Sequence, residues 1–438
     1  MNKLRLPASC LLLCALISAC NTDGKKEGAT SSSTTGTINQ LKLPQPYATE
    51  SVKNYSEVIG WRGKTPTAPS AFRVNKFADN LQNPRWIYVG PNGDVFVAEA
   101  TSEKKGKERK EAIKSGQAKS QNIGRSPNRI ILLRDENQDG EPEQQHVFLR
   151  GLKQPFGMLV LNDYFYVANT DGLWRYPYNQ GQNQITGRGE KILELPAGGY
   201  NNHWTRNLIA NADGSKIYIS VGSGSNNGEN GMENEVRRAN ILEINPDGSG
   251  GRVFASGLRN PVGMGWAPGS NVLWTAVNER DELGDELVPD YLTSVKEGGF
   301  YGWPYAYFGP NEDPRMKGQR PDLVKQTLVP EVPLGAHTAS LGLAFYNKSA
   351  FPAKYRGGAF IGQHGSWNRS ELSGYKVVFV PFQAGKPIGP PEDFLTGFIS
   401  EEDKKKVHGR PVGVAVLQDG SLLVADDASG TLWRVAAK

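Results

Sequence analysis

Apolar residues fall in short runs along most of the chain, and successive runs are separated by polar turns. One phrase returns six times: Leu-x-x-Pro or Arg-Pro, an apolar run, a polar turn, and a second apolar run ending near Ala. The copies start around Pro84 (NPRWIYVGPNGDVFVAEA), Pro155 (QPFGMLVLNDYFYVAN), His203 (HWTRNLIANADGSKIYISVG), Pro261 (NPVGMGWAPGSNVLWTAVN), Leu341 (LGLAFYNKSAFPAKYRGGAFIG) and Pro411 (RPVGVAVLQDGSLLVAD). The second runs are rich in β-branched and aromatic residues and follow Asn92-Gly93, Asn162-Asp163, Asp213-Gly214 and Asp419-Gly420, pairs that favour tight hairpins. Strand pairs repeated at a long period predict a radial array in which each unit buries its faces against its neighbours. The expected fold is all-β, a six-bladed propeller of four-stranded antiparallel blades.

Six units between Pro44 and Lys438 leave roughly 60 to 70 residues each, more than the usual 40 to 50 of a blade. Insertions are therefore expected at Glu103 to Arg125, Gly224 to Arg237 and Glu279 to Gly335, between strand signals, where a propeller carries its functional loops. The last strand, Thr431 to Val435, is expected to pair with Ala71 to Phe77, because closing the ring removes exposed edges.

Composition supports this reading: 51 Gly, 28 Pro and 9 Trp in 438 residues describe a turn-rich chain with little helical periodicity. The formal net charge is +5, and most of the excess lies in Glu103 to Arg125, a solvated loop or else a docking surface for an acidic electron acceptor or anionic lipid headgroups. Residues 1–19 read as a signal peptide: Lys3 and Arg5, then an apolar core at Leu11 to Ile17 too short to span a bilayer. Ile17-Ser18-Ala19-Cys20 resembles a bacterial lipobox, which implies acylation of Cys20. Asn21, where Asp would signal otherwise, points to the outer membrane of a Gram-negative cell, on the periplasmic side. Residues 20–42 then form a flexible tether and 43–438 the propeller. All three cysteines, Cys10, Cys14 and Cys20, lie in the signal region, so the domain has no thiol, disulfide or thiolate metal site.

Three clusters carry candidate chemistry. Tyr200-Asn201-Asn202-His203-Trp204-Thr205-Arg206 places an aromatic platform, a base and a cation in one turn, and His364 and His408 also stand beside turns that reach the mouth. His146 lies inside an ordinary strand-like run. Arg259 and Asn260 open the fourth unit as a forked donor plus an amide, suited to a carboxylate- or quinone-bearing ligand, and Arg410 opens the last unit in the same register. After Asn278, the stretch Glu279 to Glu286 holds five acids in eight positions, either a hard-cation site or a solvated loop. Asp135-Glu136-Asn137-Gln138-Asp139-Gly140 has the look of a calcium loop but lacks the Glu expected at its last position, which favours a plain hairpin turn. No G-x-S-x-G, Walker, Rossmann or HExxH pattern occurs.

Together, NNHWTRNL, GLRNPVGMGW, VNERDELGDELVPDY, GGFYGWPY, GQHGSWNRS and GRPVGVAV resemble the PQQ-dependent soluble aldose and sorbosone dehydrogenases, most closely the sorbosone branch, over about residues 70–438. That resemblance implies pyrroloquinoline quinone (PQQ) lying across the mouth with a calcium ion bound to it. It implies that His203 is the general base for the substrate C1 hydroxyl while hydride passes to the quinone. Arg259 and Asn260 match the pair beside the reactive quinone oxygens, Arg410 an arginine on a cofactor carboxylate, and Gln154 a glutamine near the substrate end. The carbonyls that hold calcium in the glucose-oxidising branch align with Arg280 and Asp281. A second carboxylate-binding arginine is replaced by Val412, and Arg369 is the candidate for a missing lysine. The expected substrate is an aldose or sugar aldehyde and the expected acceptor an external quinone or cytochrome; the membrane is reached through the lipid, and no nucleic acid is expected. A calcium-dependent lactonase-type hydrolase and a non-catalytic glycan- or protein-binding propeller are the rivals.

Overall fold

The computed structural model describes residues 41–438; the expected signal peptide and Cys20 lie outside the described residues. Among these, six four-stranded antiparallel sheets follow one another around an axis as a six-bladed β-propeller. Blade 1 is Pro84–Val89, Val95–Glu99, Arg129–Arg134 and Gln144–Leu149. The inner strands of blades 2 to 6 are Met158–Leu161, Arg206–Ala210, Pro261–Trp266, Ser340–Phe345 and Pro411–Val416. All six repeated phrases thus become the innermost hairpin of a blade.

The glycines at the starts of several phrases have a steric reason. A Cβ on Gly157 would stand 2.6 Å from the backbone nitrogen of Leu208, one on Gly263 2.6 Å from that of Leu343, and one on Gly342 2.2 Å from the Val412 carbonyl oxygen. Inner strands crowd at the axis, and only a residue without Cβ lets neighbouring backbones approach so closely. Farther out, the blades are held by aromatic wedges: Phe96, Phe148, Phe156 and Phe165 are fully buried between blades 1 and 2. The ring closes as expected, with Thr431–Ala437 paired antiparallel to Phe72–Ala78, Val74 opposite Val435.

Before that closing strand, an arm at residues 45–61 runs over the mouth. Tyr47 N–H donates to the Leu283 carbonyl and Asn54 N–H to that of Trp367, both at 2.8 Å. Glu57–Val58 pairs in parallel with Lys406–Val407. Trp61 then seals the arm against blade 6, its indole N–H 2.7 Å from Asp426 Oδ2 and its ring packed on Phe398 and Trp433. The Lys-rich insertion between the second and third strands of blade 1 folds as the helices Gly106–Lys114 and Gln117–Ser120. No helix of the described residues is long and apolar enough to cross a membrane.

Candidate active site

Each inner strand starts at the mouth, and His203, Arg259-Asn260 and Arg410 stand within three residues before the inner strands of blades 3, 4 and 6. The first three come together around Gly222, at the end of the second strand of blade 3. A Cβ there would meet Asn260 Oδ1 at 2.3 Å and His203 Cβ at 2.6 Å. Next to it, Ser223 ties the group: its N–H donates to the Arg259 carbonyl at 2.7 Å, and its own carbonyl accepts from His203 Nδ1 at 2.9 Å. That bond fixes the tautomer and leaves the Nε2 lone pair available; its nearest amide, Asn202 Nδ2, stands at 3.5 Å. Burial first, then the charge of Arg259, holds the imidazole well below its ordinary pKa. The ring is therefore neutral at neutral pH, as a base must be.

Arg259 is buried and fully engaged. Nε donates to the Asn226 carbonyl at 3.1 Å, NH2 to Asn226 Oδ1 at 2.8 Å and Asp281 Oδ2 at 3.3 Å, and NH1 to the Glu279 carbonyl at 2.6 Å. Asp281 in turn bonds His337 Nδ1 at 3.1 Å, so its carboxylate lies between an arginine and a histidine. Both nitrogens of His337 face acceptors, the second being the Gly284 carbonyl at 2.8 Å, and Asp281 raises its pKa against the opposing effect of burial.

Across the funnel stands a cluster drawn from blades 1, 5 and 6. Arg85 NH1 lies 2.5 Å from Asp427 Oδ2, His364 Nε2 lies 3.0 Å from the same carboxylate, and the Arg85 guanidinium sits 5.7 Å over the Trp204 ring. Burial, then Arg410, pushes His364 down to about 3. Burial opposes ionisation of Asp427, but His364 and Arg85 hold it well below the usual carboxylate range.

The remaining expected residues are placed differently. Arg410 is buried with its donors on carbonyls: Nε to His364 at 3.1 Å, NH2 to Gly365 at 3.2 Å and NH1 to Ser120 at 3.3 Å. Arg369 bonds the Asp285 carbonyl at 2.7 Å and pairs with Glu286, out on the rim. Gln154 holds the Thr101 carbonyl at 2.9 Å. The Arg280 side chain pins its loop, its guanidinium donating to Glu279, Asp313 and the carbonyls of Pro304 and Ala306, while the Arg280 carbonyl, the expected ligand atom, accepts from Val288 N–H at 3.5 Å. Arg85, Asp427 and Asn226 escaped sequence reading. The signal for Arg85 was present, since it follows Pro84 in the same phrase that Arg259 and Arg410 precede.

A planar polyanionic quinone fits this mouth. The Asn260 amide makes no hydrogen bond among the described residues, and its Oδ1 and the Arg85 Nε are both buried without a partner. The donors among these, Asn260 Nδ2 and Arg85 Nε, are what a quinone or carboxylate oxygen would satisfy, and a buried donor left unmet costs about 1–3 kcal/mol. For calcium the fit is poor. The Asp281 carboxylate is already bound by Arg259 and His337 and its carbonyl accepts from Arg315 and Asn226, Asp285 and Glu286 pair with Ser370 and Arg369, and Glu279 gives one oxygen to Arg280, which leaves its buried Oε1 as a single unpartnered oxygen. The carboxylates that do converge among the described residues, Asp135, Asp139 and Glu143, lie within 4.8 Å of one another on the outer hairpin of blade 1, not at the mouth.

The chain is 26% identical over 383 residues to an uncharacterised protein of Borreliella burgdorferi, covering 85% of this chain and 90% of that one. It is 34% identical over 123 residues to the aldose sugar dehydrogenase YliI of Escherichia coli, a stretch that covers 27% of this chain and 30% of that protein. Among solved structures, the holo PQQ domain of the pyranose dehydrogenase of Coprinopsis cinerea superposes with a TM-score of 0.66 at 20% identity, over 87% of this chain and 100% of that one. A calcium structure of the Trichoderma reesei carbohydrate-active enzyme of family AA12 gives 0.67 at 17% identity, over 88% and 99%. The model of the TrAA12-like family matches residues 66–296 and 319–438, most of the propeller, and the chain belongs to that family.

Proposed function

We propose that the protein is a PQQ-dependent dehydrogenase that oxidises an aldose or sugar aldehyde and passes the electrons to an external acceptor. The observation that carries this reading is the neutral, single-tautomer His203 packed beside Arg259 and the unpartnered Asn260. PQQ bound across the mouth would supply the hydride acceptor. Asn260 would hold it through its free amide, with Arg259 behind and the Arg85 guanidinium on the far wall.

The chain's own part is proton removal and positioning. The Nε2 of His203 accepts the proton of the anomeric hydroxyl, which makes C1 a hydride donor and leaves a lactone, or an acid from a hydrated aldehyde. The buried Arg259 keeps that nitrogen unprotonated and stabilises negative charge that develops nearby. Tyr55 of the arm stacks on Trp367, centroids 5.8 Å apart and 11° between planes, an apolar surface suited to a pyranose face. No role is assigned to calcium. Acylation of Cys20 and a periplasmic, outer-membrane location are proposed from the sequence alone.

The test is His203→Ala in PQQ-reconstituted protein. Dye-linked oxidation of aldoses should fall by about 10²–10⁴-fold with PQQ binding retained. Full activity in the variant would remove the base from the mechanism.

A further inference from the structure

The Lys-rich insertion carries charge that the proposed catalysis does not use. Glu103 to Arg125 contains eight basic and three acidic residues, an excess of five that equals the formal net charge of the whole chain. The rest of the chain is balanced. On the helix Gly106–Lys114 only Ala112 is buried, and Lys107, Arg109, Lys110 and Lys114 are exposed with no ion pair among the described residues. A solvated loop with no task could drift, but this one is tied down at both ends by the mouth. Trp204 Nε1 donates to Ser102 Oγ at 2.7 Å, beside His203, and Arg410 reaches the Ser120 carbonyl at the other end.

The opposite rim has the other sign. Glu229, Glu282 and Glu286 are exposed on the loops of blades 3 and 4. Tyr200, three residues before His203, has its phenol pKa raised by burial first and then by Glu229, with Glu108 of the helix and Glu282 adding to it and Arg259 opposing them. The mouth thus carries a cationic ridge on blade 1 and exposed acids on the loops of blades 3 and 4, of which Glu286 is paired with Arg369. Resting on the dehydrogenase reading, we propose that the ridge Lys105 to Lys114 is the docking surface for an acidic one-electron carrier protein.

The chemistry asks for such a surface. Oxidation of one sugar releases two electrons and two protons; each of two oxidised carrier molecules takes one electron, and the protons go to solvent. Two encounters per turnover need fast binding and fast release, which long-range charge attraction supplies without a large apolar contact. A lipid surface is the weaker occupant. An interfacial helix needs an apolar face, and the exposed large apolar residue on this helix is Ile113 alone.

The experiment uses the PQQ-reconstituted full-length protein and plant plastocyanin, an acidic copper carrier, with basic mitochondrial cytochrome c as the control of opposite sign. The variant Lys107→Glu/Arg109→Glu/Lys110→Glu/Lys114→Glu reverses the ridge, and the corresponding Gln substitutions neutralise it while keeping helix propensity. At low salt the second-order rate for plastocyanin should fall by about tenfold or more in the Glu variant and to an intermediate level in the Gln variant. Wild type should lose the same advantage as salt rises, and cytochrome c should respond in the opposite sense. Dye-linked turnover should not change. Equal plastocyanin rates in all three proteins, with dye turnover intact, would overturn the docking surface and leave the dehydrogenase reading standing. Absence of dye turnover in wild type would remove both. Sedimentation with phosphatidylserine vesicles that depends on the ridge, without any effect on electron transfer, would assign the charge to a lipid surface and overturn the proposal.

Discussion

Gly222 shows how closely the candidate chemistry depends on single atoms. Its missing Cβ is the space in which Asn260 Oδ1 and His203 Cβ meet. Gly222→Ala should displace one of them, lower sugar oxidation by about 10²-fold through misplacement, and cost about 1–3 kcal/mol by overpacking. Steady-state kinetics alongside a thermal melt would check both. A second prediction concerns His364, whose folded pKa of about 3 lies below its unfolded value. Between those values the unfolded chain binds the extra proton, so this group's contribution is complete above about pH 6.5 and is lost as pH falls, by up to about 1.4 kcal/mol per pH unit. Melts of wild type and His364→Gln between pH 7 and 4 should therefore converge as the pH falls. A constant difference would show that the histidine is not held neutral in the fold. His203, Arg259 and Asn260 were legible because each stands at the start of a repeated phrase. Side-chain direction was not: Arg410 shares their register, yet its fork closes on the Ser120 carbonyl of an insertion almost 300 positions away.

Strands and hairpins could be read because alternation and turn residues are local signals. So could the closing pair, since a lone C-terminal strand needs an edge. The arm at 45–61 could not, because its anchors are single contacts without period, such as Trp61 on Asp426. The Asp135 segment is a hairpin as read, although the strands around it bring Glu143 to its acids, a convergence the end-of-loop rule did not anticipate. At this scale the inner strands make the sharpest prediction. Gly342→Ala places a Cβ 2.2 Å from the Val412 carbonyl oxygen, a backbone atom that cannot rotate away. It should destabilise the ring by about 1–3 kcal/mol or more, seen as a lower melting temperature, and more than the same change at Gly269, where a Cβ meets nothing within 4 Å but φ is +73°.

For the whole molecule, the propeller gathers residues from distant units into one funnel: Arg85 from the first blade, His203 from the third, Asn260 from the fourth, His364 from the fifth and Asp427 from the sixth. Two buried polar atoms there, Asn260 Oδ1 and Arg85 Nε, lack partners. The direct measurement is a titration of the protein with PQQ, followed by addition of aldoses and sugar aldehydes while the quinone absorbance is recorded. Saturable binding near one quinone per chain, then bleaching by a sugar in wild type but not in His203→Ala, is the expected result. A folded protein that leaves the PQQ spectrum unchanged at saturating concentrations would contradict the central claim.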